Sequence, residues 1–144
     1  MARVSFPDKD GTIHDVIILF SENERFLSNF WPCHVTLPEE TVTIENQEHT
    51  LPAMDFKSVE NAYMAWKTLD LQARQNIQTI TAKDAKKMSE KGEIILRHDY
   101  SDDGRLGIME KLIQQKFSDR NPELKTQLLE TKDALIIEGN TWND

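Results

Sequence analysis

The chain has 144 residues, a length that one compact domain accounts for, and its 38% hydrophobic and 29% charged residues are a globular balance. Seventeen basic against 25 acidic residues leave a net charge of −8, which repels a nucleic-acid backbone and argues against generic DNA or RNA binding. A single cysteine, Cys33, excludes an internal disulfide and a cysteine-built zinc cage; no run reaches the ~18 apolar residues of a membrane span, and "MARVSFPDKD" has no apolar signal core, so a reducing, cytoplasmic setting is expected.

In chain order, the β-branched run "VIILF" (16–20) predicts a buried strand, and "ENERFLSNFWP" after it a loop. "CHVTL" (33–37) and "TVTI" (41–44) alternate around "PEE" and predict a hairpin; the polar "NQEHTLPAM" reads as a connection. Ser58 can cap a helix running to about Thr68, with a second helical stretch to about Ile80. Thr81 and Asp84 stand at capping-box spacing for a third helix that Gly92 can end. "IIL" (94–96) is a strand or a packed extended segment. Ser101 or Asp102 can cap a helix to Phe117, with Leu106, Met109, Ile113, Lys116 and Phe117 as its core face. Asn121-Pro122 is a cap and first-turn pair for a helix to about Glu130, and "ALII" (134–137) reads as a late strand. No repeat or linker intervenes, so the expectation is one α+β domain over residues 1–144, mostly helical with a few short strands.

The helix in "FKSVENAYMAWK" (56–67) carries the most suggestive chemistry. At ~100° per residue, Lys67 lies about 20° from Glu60, Met64 about 40° away, and Tyr63 about 60° away on the other side. Val59, Ala62 and Trp66 continue from Tyr63 as an apolar stripe, which puts Glu60 at the edge of the buried face. A carboxyl group at a pocket rim can serve as general acid or base; the plainer alternative is a solvent-facing first-turn glutamate favoured by the helix dipole. Lys67 can hold a phosphate or attack an aldehyde, or simply snorkel at the surface. Trp66 belongs to the apolar stripe and reads as core, while Trp142 near the end of the chain can cover a pocket. His14, His34, His49 and His98 share no metal-ligand spacing and read as surface; Cys33 reads as a small hydrophobe. Lys83, Lys86, Lys87 and Lys91 form a basic cluster whose default is a solvated face, with Lys86 able to approach a phosphate.

"FLSNF" (26–30), "FKSVENAYMAWK", "AKKMSEKG" (85–92), "RHDY" (97–100), "QQKF" (114–117) and "IIEGNTWND" (136–144) occur in the order seen in the NADAR family, which the chain resembles from about residue 16 onward. The resemblance implies a small α+β fold without metal or cofactor. It also implies an N-glycosidase that hydrolyses the bond between ribose and a base-like amine. The expected partner is a small phosphorylated ribosyl or ADP-ribosyl substrate, such as ADP-ribosylated guanine or a riboflavin-biosynthesis intermediate. By position, Glu60 matches the family's general acid or base, Lys67 a residue that forms a Schiff base or binds phosphate, and Asp144 an acid near the C-terminal motif. Asn29 and Phe30 match a pocket loop, Arg97 a phosphate-gripping position, and Tyr100 a ring that stacks on a base; Tyr63, Lys86 and Trp142 complete the expected substrate-binding set. Asn61 stands where a histidine is usual, Tyr100 where a tryptophan is, and Ser89-Glu90 where a Gly-Arg pair is. The family pattern continues past Asp144 into a Trp-Gly segment, so either the domain is trimmed there or this member lacks one aromatic wall. These departures keep open a second reading, a binding module that holds ADP-ribose-like nucleotides without turning them over.

Overall fold

The computed structural model describes residues 3–7, 13–17, 22–132 and 134–136. In chain order the elements are β1 (Arg3–Pro7), β2 (Ile13–Ile17), a 3-10 helix (Glu22–Leu27), β3 (Val35–Leu37), β4 (Glu40–Ile44), β5 (Gln47–Leu51), β6 (Met54–Phe56), α1 (Val59–Trp66), α2 (Leu71–Thr79), α3 (Ala82–Glu90), α4 (Asp102–Lys116), α5 (Pro122–Glu130) and β7 (Leu135–Ile136). This is the expected α+β domain. The described strands form three small sheets, β1-β2-β7, β3-β6 and β4-β5; β2 and β7 are parallel and the other pairs antiparallel. No helix among the described residues is long and apolar enough to cross a membrane.

The strand expected at 16–20 begins earlier, at Ile13, and residues 18–20 lie outside the described ones; "ENERFL" is a 3-10 helix and not a loop. The expected hairpin of 33–37 with 41–44 does not form. Val35 pairs instead with Phe56 and Leu37 with Met54, while β4 pairs with β5 across Glu45-Asn46. Both turn residues have positive φ, 53° and 65°, the backbone that lets a two-residue turn follow the right-handed strand twist. The polar "QEHTL" escaped recognition as a strand because β5 is exposed along its length until Leu51, so it has no apolar alternation to read.

Helix α1 lies at the centre, packed against α2, α3 and α4. Its N-cap is Ser58, whose hydroxyl accepts the Asn61 N–H at 3.0 Å and donates to Asn61 Oδ1 at 2.5 Å. Because neighbours surround the helix, its polar residues are buried along with Val59, Ala62, Met64, Ala65 and Trp66. Asn61 is fully buried, and its Nδ2 donates to the Ile77 and Ile80 carbonyls, each at 3.0 Å. Those carbonyls end α2, where intrahelical partners run out, so Asn61 ties the two helices together. Thr81 caps α3 as expected by accepting the Asp84 N–H, and Gly92, at φ 71°, follows the helix end in the left-handed conformation.

The buried face of α4 differs from the expected one. Leu106 and Ile113 are exposed, whereas Ile108 and Leu112 are buried with the expected Lys116 at i, i+4, i+8 spacing; Met109 and Phe117 pack at the core margin. The sequence has apolar residues on several sides of this helix, so its spacing alone does not fix which face turns inward; Gly104 lies where the helix meets Trp66, and a Cβ there would stand 3.4 Å from the Trp66 ring and 2.9 Å from Ser101 Oγ. In "IIL", Ile94 is buried, Ile95 and Leu96 are exposed, and no strand forms. Asn121 precedes α5 but makes no side-chain cap. Its amide instead accepts the His34 N–H at 2.7 Å and donates to the His34 and Gln115 carbonyls, which staples β3's approach to the end of α4.

The Asn61 knot yields a direct test. Asn61→Ala leaves two buried carbonyls and the Ser58 hydroxyl without their partner, so urea unfolding is expected to show a loss of about 2–4 kcal/mol. A loss no larger than that of an exposed substitution such as Gln75→Ala would contradict this account.

Candidate active site

Glu60 stands in the first turn of α1 and is 7% exposed, so it is not the solvent-facing glutamate of the plainer alternative. Its N–H donates to the Asn29 carbonyl at 3.0 Å, which draws the 28–30 loop against the helix start. Between that loop and α3 lies a cavity of about 420 Å³, within the size range of small-ligand sites. Ser28, Asn29 and Phe30 form one wall, Glu60 lines it from α1, and Lys83, Lys86, Lys87 and Glu90 line it from α3. Lys83, Lys86 and Lys87 stand three and four residues apart and so share one helix face. Lys86 Nζ sits 5.6 Å from the centre of the Phe30 ring, a cation–π contact. Three of the four clustered lysines thus border a cavity and not only solvent. The spacing that placed Glu60 at a buried edge also puts these three on one face, but only the packing of α3 on α1 shows what that face meets.

The structure therefore brings Glu60, Asn29, Phe30 and Lys86 together. Lys67 is not in the lining of that cavity. A 20° offset on the helical wheel ignores the rise of about 10 Å over seven residues. Lys67 reaches the end of α3, where Nζ donates to Ser89 Oγ at 3.2 Å, one residue before the cavity-lining Glu90, and lies 5.1 Å from the Tyr63 ring centre. Around it is an aromatic group: Tyr63 stacks on Trp66 with ring centres 6.1 Å apart, and Trp66 meets Tyr100 at 5.7 Å. Burial and the neighbouring Tyr100 push the Tyr63 hydroxyl up to about 12, against the opposing pull of Arg105. Trp66 is buried, in keeping with its place in the apolar stripe. Asp144 and Trp142 lie outside the described residues.

Arg97 is set apart from the Glu60 cavity. Its guanidinium donates to Glu40 at 2.7 and 3.2 Å, to Asp99 at 2.6 and 3.1 Å and to the Trp66 carbonyl at 3.1 Å, and it lies 4.7 Å from the Trp66 ring centre. Its donors serve carboxylates, where the resemblance implies a phosphate. Arg74, fully buried, joins the cluster through Glu40 at 2.8 Å and the Thr68 carbonyl at 2.8 Å. Burial alone would raise the Glu40 carboxyl, but the Arg97 and Arg74 bonds outweigh it and hold the group below its ordinary value. Neither Glu40 nor Arg74 stood out in the sequence, because they are 34 residues apart and Arg97 is 57 from Glu40. Cys33 is buried, and burial pushes its thiol up against the pull of Lys116 and of the Val59 N–H.

Fold and cavity together define a small α+β protein that sets a helix-start carboxylate among three lysines. The NADAR domain model matches residues 19–143, and the chain belongs to the NADAR family. It is similar in fold to the E. coli protein YbiA, solved by NMR, at 23% sequence identity and a TM-score of 0.62, covering 90% of this chain and 70% of that one. A search of curated proteins found no match.

The Glu40 cluster predicts an acid dependence. A carboxyl held below its unfolded value contributes stability that is fully present above that value and lost as pH falls through the folded one. Glu40→Gln is expected to lower unfolding free energy at pH 7 by about 2–4 kcal/mol. Urea midpoints measured from pH 6 down to pH 3 should fall less steeply in the variant than in the wild type; parallel curves would rule out the cluster as a source of the acid sensitivity.

Proposed function

We propose that this chain is an N-glycosidase that hydrolyses the bond between ribose and a base-like amine in a phosphorylated substrate, with ADP-ribosyl adducts such as ADP-ribosylated guanine, or riboflavin-biosynthesis intermediates, as the substrate class. One observation carries the reading: the Glu60 and Glu90 carboxyl groups and three lysines line the same cavity, a small local excess of positive charge on a chain whose net charge is −8. The local excess of cations in an acidic protein suits a ligand bearing phosphate, and the mostly buried Glu60 suits proton transfer beside it. Family membership supports the same class of reaction.

In this reaction the bond from the ribose anomeric carbon to the base nitrogen breaks, and a water oxygen takes the nitrogen's place. The water gives up one proton, and the departing nitrogen gains one. Glu60 is assigned this proton traffic, accepting from water or donating to the leaving amine. The sugar develops cationic character as the bond stretches, and Asp144 is assigned its stabilisation. Lysine ammonium groups on α3 would hold phosphate oxygens as compact point charges. Phe30 offers an apolar wall.

Incubation with ADP-ribosylated guanosine is expected to release free ADP-ribose, read by mass spectrometry. Glu60→Gln should slow release by about 10²–10⁴-fold while leaving circular dichroism unchanged. Substrate that raises the melting temperature of the wild type yet yields no product would favour the binding-module reading. Borohydride trapping of an adduct on Lys67 during turnover would replace the carboxylate route with an imine one. Lys83→Ala and Lys87→Ala should each raise KM about tenfold with a smaller change in kcat, and the loss should shrink at high salt, since exposed charge contacts are screened.

A further inference from the structure

Lys116 is fully buried, yet no carboxylate pairs with it among the described residues. Among the described residues, the groups that face its amine are the Ser28 carbonyl, which accepts from Nζ at 2.6 Å, the Phe117 ring, centred 5.1 Å away, and the Cys33 thiol. An ammonium group without a counter-charge is costly to keep in a core, and a methionine of similar length would fill the same space without that penalty. What the amine adds beyond packing is its bond to Ser28.

That bond leads to the cavity in three consecutive residues. The Ser28 carbonyl also accepts the Trp31 N–H at 3.0 Å, closing the turn. The next carbonyl, of Asn29, receives the Glu60 N–H, and the Asn29 amide meets Met109 Sδ at 3.8 Å, a second anchor from α4. Phe30, next again, walls the cavity beneath Lys86. We propose that Lys116 is a positioning residue for the Glu60 site, its buried ammonium group holding the Ser28 carbonyl and so fixing the loop that receives the Glu60 backbone and walls the cavity. Burial draws the amine down to about 8, partly offset by the Cys33 thiol, so the charge on the clamp is present at neutral pH and lost in mildly alkaline solution. The consequence for turnover rests on the glycosidase reading; the clamp itself does not.

The test uses Lys116→Met, with Lys116→Gln as a variant that keeps a hydrogen-bond donor. Amide exchange followed by NMR should show protection of the Glu60 and Trp31 N–H groups falling about tenfold or more in Lys116→Met, while α2 amides and the melting temperature hold or improve. With ADP-ribosylated guanosine, kcat should fall about tenfold with a smaller change in KM, and Lys116→Gln should recover part of it. The wild-type kcat should decline above about pH 8, and Lys116→Met should lack that limb. If Lys116→Met does not fold, the wild type between pH 7 and 9 serves, since the Glu60 and Trp31 amides should then speed up more than α2 amides do. Unchanged exchange at both amides, or wild-type kcat and pH profile in Lys116→Met, overturns the proposal. A wild type that binds ADP-ribose without turnover overturns the glycosidase reading alone, and the exchange rates still settle the clamp.

Discussion

A helix that starts inside a protein must find acceptors for N–H groups that water would otherwise serve. Helix α1 starts this way, and each of its first three amides has an assigned neighbour. The Val59 N–H faces the Cys33 thiol, the Glu60 N–H donates to the Asn29 carbonyl, and the Asn61 N–H donates to the Ser58 hydroxyl. Two of these acceptors come from the 28–33 segment, so burying the helix start obliges that loop to lie across it. The cavity beside Glu60 follows from the same obligation, since the loop and α3 are its two sides.

Cations divide between two tasks according to their chemistry. Arg74 and Arg97 are buried and share Glu40, where a planar guanidinium can meet carboxylate and carbonyl oxygens together. That cluster joins β4, the end of α1 and the segment before α4, and the donors of Arg97 are committed to protein oxygens. Lys83, Lys86 and Lys87 stay at the cavity on flexible stems, able to present a charge without being locked into a bidentate geometry. Lys116 belongs to neither group, being a buried lysine whose partner is a carbonyl.

Local chemistry was legible residue by residue. Ser58, Thr81 and Ser101 each accept the N–H three residues on, and Gly92 lies just past a helix end; such contacts span a few residues, so sequence spacing contains them. The prominence of Glu60 came from helical periodicity within one element, whereas a wheel shows angle and omits distance along the axis, so it left open that Lys67 bonds Ser89.

By itself the sequence determined the helices, the caps at Ser58, Thr81 and Ser101, the α+β class and the placing of Glu60 at a buried helix edge, because each depends on propensity and spacing within one element. Only the tertiary structure decided that β3 pairs with β6, that α4 turns Ile108 and Leu112 inward beside Lys116, that Arg97 serves Glu40, and that three lysines meet Glu60 across one cavity. Those outcomes rest on contacts between residues far apart in the chain, and their energy depends on which surfaces meet, which no local pattern records.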